Sequence, residues 1–141
     1  MSVYIDTSVL VAALTNERET SRMQDWLGAQ TPEDLFISNW VVTEFSSALS
    51  IKLRTGQITV TDRANSLAMF TRLCADSIGM LPVTSQNFRA AARFSDQYAL
   101  GLRAGNALHL AVCADHGATL CTLDRRLAEA GSQAGLATAP V

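Results

Sequence analysis

Short apolar runs separated by longer stretches of helical spacing set the pattern of this chain. Val3 to Ile5 is an apolar run that ends on Asp6, Thr7 and Ser8, and it reads as a strand leading into a helix over Val9 to Leu14. A second helix is expected from Thr20 to about Ala29, with Pro32 breaking the chain before a strand at Leu35, Phe36 and Ile37. Ser38 or Asn39 offers an N-cap for a helix from Trp40 to Arg54, in which Val41, Phe45, Ala48, Leu49 and Leu53 recur at helical spacing before Gly56. Thr61 or Asp62 can cap the next helix, which carries Leu67, Phe70 and Leu73 toward a core.

Met80 to Val83 is expected as a third strand, followed by a helix capped by Thr84 or Ser85 that runs to about Tyr98. That helix exposes Arg89 and Arg93 while Ala91, Ala92 and Phe94 turn inward. A further helix starts near Gly105 and ends at His116-Gly117, a common C-terminal signal. Thr119 to Thr122 forms a fourth strand with Asp124 after it, and Leu136 to Thr138 is a candidate edge strand. Strands alternating with helices imply right-handed crossovers. The expected fold is therefore α/β, a three-layer α/β/α domain with a mainly parallel sheet of four or five strands. With 141 residues and no low-complexity linker, the whole chain, 1–141, is read as a single domain.

Composition narrows the function classes only modestly. No apolar run approaches the roughly 20 residues that span a bilayer, and Asp6 interrupts the N-terminal apolar stretch where a signal peptide would continue. A cytoplasmic protein is expected. Cys74, Cys113 and Cys121 include no Cys-x-x-Cys pair and lie in apolar segments, which argues against a disulfide scaffold or zinc site. A net charge of -2 argues against a protein that coats nucleic acid generally, but leaves room for a local basic patch.

The acids carry the chemistry. Asp6 and Asp124 each follow a strand, and in an open α/β sheet the carboxyl ends of the strands line the ligand crevice. Taken alone, Asp6 reads as the cap of the helix that follows it; the repetition at Asp124 weakens that reading. Glu44 lies about one turn into the helix after the second strand, within reach of the same edge. Two unit charges ~5 Å apart repel by roughly 3 kcal/mol at an effective dielectric of about 20. A divalent ion offsets this, and oxygen donors without convergent Cys or His select Mg2+ or Mn2+. Such an ion activates water for attack on a phosphodiester.

Ile5 to Leu10, Thr43-Glu44-Phe45, Leu102 to Ala111 and Thr122-Leu123-Asp124 together resemble the successive motifs of PIN-domain proteins, particularly VapC-type toxins. The resemblance covers nearly the whole chain and implies a PIN-like domain: a Mg2+- or Mn2+-dependent endoribonuclease that cuts RNA, forms a homodimer and is inhibited by a small VapB-type antitoxin. Carried over residue by residue, Asp6, Glu44 and Asp124 match the acidic catalytic and metal positions, with Thr7, Ser8 and Thr122 as hydroxyl partners. Asn106 is a departure, because the pattern has Asp there. An amide still offers one carbonyl oxygen to a metal, but it brings no negative charge and accepts no proton as a general base. The resemblance thus implies a weakened or inactive nuclease, whether Asn106 is natural or an engineered change.

Other residues have plainer readings. His109, among Leu108, Leu110 and Ala111, reads as a packed helix histidine, His116 as a helix-end residue, and Trp40 and Phe36 as core anchors. Arg103, Arg125 and Arg126 flank the acidic motifs and could hold RNA phosphates or form surface ion pairs. The apolar positions from Phe45 to Leu73 exceed what one small core readily holds, so part of that surface is expected to face a partner. Two rival functions are weighed against the nuclease. One is a non-catalytic module of the same fold that binds RNA or antitoxin. The other is phosphoryl transfer through Asp6, which the Ser8 two residues later disfavours.

Overall fold

The computed structural model describes residues 1–141. Its sheet consists of β1 (Val3–Ile5), β2 (Leu35–Ser38), β3 (Gly79–Leu81) and β4 (Thr119–Cys121), in the order β3-β2-β1-β4 with every neighbouring pair parallel. The helices are α1 (Thr7–Leu14), α2 (Thr20–Gly28), α3 (Asn39–Arg54), α4 (Val60–Asp76), α5 (Ser85–Asp96), α6 (Ala104–His116) and α7 (Arg125–Gln133). The chain builds outward from β1 to β3, then returns to place β4 on the other side of β1. Strand order therefore reverses between β1 and β4, and the crevice at their carboxyl ends is where α/β sheets bind ligands.

The pleat sorts adjacent residues of β1 into different cores. Ile5 joins an apolar core with residues of α1 to α4, including Val9, Leu10, Met23, Phe45, Leu49 and Phe70. Tyr4 faces the other layer, where Leu110, Cys113, Leu120 and Leu127 pack from α6, β4 and α7. Phe45 and Phe70 stack at 4.4 Å with their rings 6° from parallel. All three cysteines are free, and burial pushes their thiols up, that of Cys113 to about 12, so they behave as apolar packing groups. No helix is long and apolar enough to cross a membrane.

Several expectations shift. α1 begins at Thr7, two residues earlier than the apolar pattern indicates. α4 is capped by Thr59, whose hydroxyl accepts from the Asp62 amide while the Asp62 carboxylate accepts from the Thr59 amide; Thr61 and Asp62 are inside the first turn. β3 ends at Leu81, before Pro82, which has no amide hydrogen for the ladder. α5 stops at Asp96, and Ala92 is exposed although Ala91 is buried. Leu136 to Thr138 forms only an isolated bridge, Leu120 with Thr138, so the sheet has four strands. α7 was not expected at all. Of the apolar positions along α3 and α4, Phe45, Leu49 and Phe70 are buried and Leu67 and Leu73 pack at their margin, whereas Leu53 is only partly covered and Ile51 and Met69 are exposed.

Candidate functional site

Adjacent parallel strands bring the first and last acids together. Ile5 pairs with Cys121, so the chain leaves β1 at Asp6 beside the segment that leaves β4 through Thr122. Asp6 occupies the N-cap position of α1 with extended backbone, yet its carboxylate makes no cap bond. It accepts instead from the Ser8 hydroxyl at 2.6 Å. The Ser8 oxygen also accepts from the Leu123 amide at 3.1 Å and lies 3.3 Å from the Thr122 hydroxyl, tying the two strand ends together. Capping therefore does not account for Asp6. Asp124 does cap its helix, accepting from the Leu127 amide through Oδ1 at 3.1 Å, while its other oxygen faces Asn106.

Asn106 lies in the first turn of α6, and its Nδ2 donates to Asp124 Oδ2 at 3.1 Å. The amide thus supplies a hydrogen where an aspartate at 106 would oppose one carboxylate with another. Glu44 projects from α3 beside the stripe of Val41, Phe45 and Leu49, all fully buried. Its Oε1 accepts from the Thr7 hydroxyl at 2.6 Å and from His109 Nε2 at 2.5 Å. The hydroxyl residues Thr7, Ser8 and Thr122 thus fasten the acidic edge, each through a different contact.

Burial disfavours the charged form of both Asp6 and Glu44, yet their carboxyls end up shifted in opposite directions. Asp6 is only 4% exposed, and loss of water raises its carboxyl above the usual range. His109 and the Ser8 and Thr122 hydroxyls oppose that rise, and Asp124 adds to it. Burial also works against ionised Glu44. There, the hydrogen bond and charge of His109, together with the Thr7 hydroxyl, prevail and hold its carboxyl below the usual range.

Glu44 and Asp124 line a cleft of about 770 Å³ with Thr7, Ser8 and Trp40; the buried Asp6 and the partly exposed Asn106 are outside that lining. The helices α1, α6 and α7 begin at this edge, so their N-terminal dipoles favour negative charge there. Carboxylate and amide oxygens without sulfur suit a hard divalent cation. The arrangement is not a closed cage, because no three acidic, imidazole or thiol groups converge into one ligand set. Amide and hydroxyl hydrogens hold the carboxylates in its place. Arg103, at the start of α6, and Arg125 and Arg126, at the start of α7, are exposed and form no ion pair.

His109 is buried as expected, but it is more than packing. Its Nδ1 lies 2.8 Å from the Tyr4 hydroxyl, which lies 2.9 Å from the Ser38 hydroxyl. Tyr4 reads in the sequence as an ordinary strand residue and Ser38 only as a helix cap; Ser38 does occupy the N-cap position of α3, but its hydroxyl makes no cap bond and is paired with that of Tyr4 instead. Phe36 is partly buried and meets His116 in a tilted ring contact, centroids 5.0 Å apart, and Trp40 packs at the margin of α5 and α6 with its Nε1 unpartnered.

Fold and site define an α/β domain with an acidic crevice at its strand-order reversal. The PIN domain family model matches residues 3–132, and the chain belongs to that family. Solved structures share the fold. PAE2754 from Pyrobaculum aerophilum is 21% identical with a TM-score of 0.72, covering 98% of this chain and 90% of that one. VapC20 of Mycobacterium tuberculosis, described as a sarcin-ricin loop cleaving toxin, is 18% identical with a TM-score of 0.72, covering 96% of each chain. DNA-bound VapBC from Salmonella typhimurium is 13% identical with a TM-score of 0.69, covering 99% of this chain and 98% of that one. Among curated proteins, none matches the sequence.

Proposed function

We propose that this chain is a toxin of the VapC type, built as a Mg2+- or Mn2+-dependent endoribonuclease and weakened or silenced by Asn106. The observation that carries the reading is the placement of Asp6, Glu44, Asn106 and Asp124 near the carboxyl ends of β1, β2 and β4 and the starts of α1, α3, α6 and α7, with Asn106 in direct contact with Asp124. Asp6, Glu44 and Asp124 would hold the cation through carboxylate oxygens, and Asn106 through its carbonyl if the amide turned away from Asp124. A bound cation supplies an activated water and neutralises charge on the scissile phosphate. Asp124 is oriented by the start of α7, and Asp6 by Ser8. Arg103, Arg125 and Arg126 are unpaired cations available to RNA phosphates flanking the cleft.

The reading includes a VapB-type antitoxin as partner, a homodimer and a cytoplasmic location. VapBC complexes among the structures of the same fold support the antitoxin. The Asn106–Asp124 hydrogen bond also favours a second reading, a non-catalytic module that binds RNA or antitoxin with its carboxylates satisfied internally. Cleavage assays on structured RNAs separate the two. Asn106→Asp should gain cleavage that depends on Mg2+ or Mn2+ and is abolished by adding Asp6→Ala. Absence of cleavage by Asn106→Asp with either ion would reject the nuclease reading.

A further inference from the structure

We infer that the buried chain Ser38–Tyr4–His109 is a positioning device that determines which oxygen of Glu44 faces the cleft. The inference rests on the reading of Glu44 as a site carboxylate, and adds to it three residues from β2, β1 and α6. A carboxylate only accepts hydrogen bonds, so His109 Nε2 carries the hydrogen in its contact with Glu44 Oε1 whether the ring is neutral or charged. Thr7 donates to the same oxygen. Oε1 is therefore committed to the protein on both of its lone pairs, and Oε2 is the oxygen left for a ligand.

The surroundings of Oε2 fit this division. A β-carbon on Gly105 would lie 3.2 Å from Oε2 and 3.5 Å from Trp40 Nε1, so the absence of a side chain at 105 keeps space beside the free oxygen. The imidazole itself cannot turn freely. His109 is 1% exposed, and its second nitrogen is held by a tyrosine hydroxyl that is in turn held by Ser38, itself fully buried. Burial keeps the Tyr4 phenol protonated, so its hydroxyl stays available as a hydrogen-bonding link. Fixing a ligand through such partners sets its orientation, and their loss typically costs about 10- to 100-fold in metal affinity.

The test uses Mn2+ titration calorimetry in the Asn106→Asp background, together with proton NMR of the metal-free protein. His109→Leu should weaken Mn2+ binding by about 10-fold or more, whereas His109→Gln, which can still donate to Glu44, should recover most of the loss. In metal-free protein the His109 Nε2 proton should give a slowly exchanging downfield resonance, lost in Glu44→Ala and broadened by faster exchange in Tyr4→Phe. Unchanged Mn2+ affinity in His109→Leu overturns the inference. Failure of Asn106→Asp itself to bind Mn2+ overturns the metal-site reading instead. The relay is then judged by NMR alone: a protected resonance sensitive to Tyr4→Phe supports it, and a rapidly exchanging or insensitive one rejects it.

Discussion

Tyr4 and Ile5 are neighbours in one strand, both fully buried, yet they enter interiors of different kinds. Ile5 enters an apolar core in which stacked Phe45 and Phe70 join α3 to α4. Tyr4 enters a layer that contains a hydrogen-bonded line from Ser38 to Glu44. The first interior gains stability from apolar area removed from water. The second uses buried polar groups, which are costly unless every one is partnered, to hold a carboxylate at the crevice.

Substitutions on the two sides should fail differently. Phe45→Ala removes a fully buried ring and its stacking contact with Phe70, and should cost about 3–5 kcal/mol in denaturant unfolding. On the other side, Tyr4→Phe keeps the ring but strands Ser38 Oγ and His109 Nδ1, and should cost about 1–3 kcal/mol by the same measurement. A loss for Tyr4→Phe as large as that for Phe45→Ala would erase the contrast between the layers.

Asp6→Asn should act in the opposite direction. Because burial raises the Asp6 carboxyl, ionising it costs stability, and that cost grows as pH rises from the ordinary aspartate range through the folded-state value. Removing the charge should raise the melting temperature at about pH 7.5 by a few degrees, and the gain should vanish toward about pH 3. Glu44, held below its usual range, contributes the reverse: stability present above the ordinary glutamate range and lost as pH falls through its folded-state value. Melting curves of Asp6→Asn and Glu44→Gln, recorded at several pH values between about 3 and about 8, would check both signs.

The apolar layer was the more legible of the two. Helical spacing at Val41, Phe45 and Leu49 and the compact run Val3 to Ile5 identify α3 and β1 directly, because one residue type at one period suffices. α7 was hidden by its composition: only Leu127, Ala130 and Gly131 are buried, and Ala and Gly form too faint a stripe to reveal a helix. Asp6 and Asp124 stand out because acids after strands are conspicuous, and Glu44 because it lies one turn into a helix within reach of the same edge. The line behind Glu44 does not, since Tyr4, Ser38 and His109 come from three elements and acquire meaning only when the sheet order brings them together. Likewise, position 106 was recognisable as a missing charge, but its hydrogen bond to Asp124 depends on how α6 meets the end of β4.

The central proposal is that the acidic crevice is a hard-cation site in which position 106 supplies an amide rather than a carboxylate, with that amide hydrogen-bonded to Asp124. Thermal unfolding of this chain and of Asn106→Asp, each with and without millimolar Mn2+, tests it most directly. Without the ion, Asn106→Asp should be less stable by about 1–3 kcal/mol, because a hydrogen bond to Asp124 becomes a repulsion. Mn2+ should restore that loss and shift the original chain far less. An Asn106→Asp protein as stable as the original without Mn2+, or one whose melting temperature Mn2+ leaves unmoved, would contradict the account.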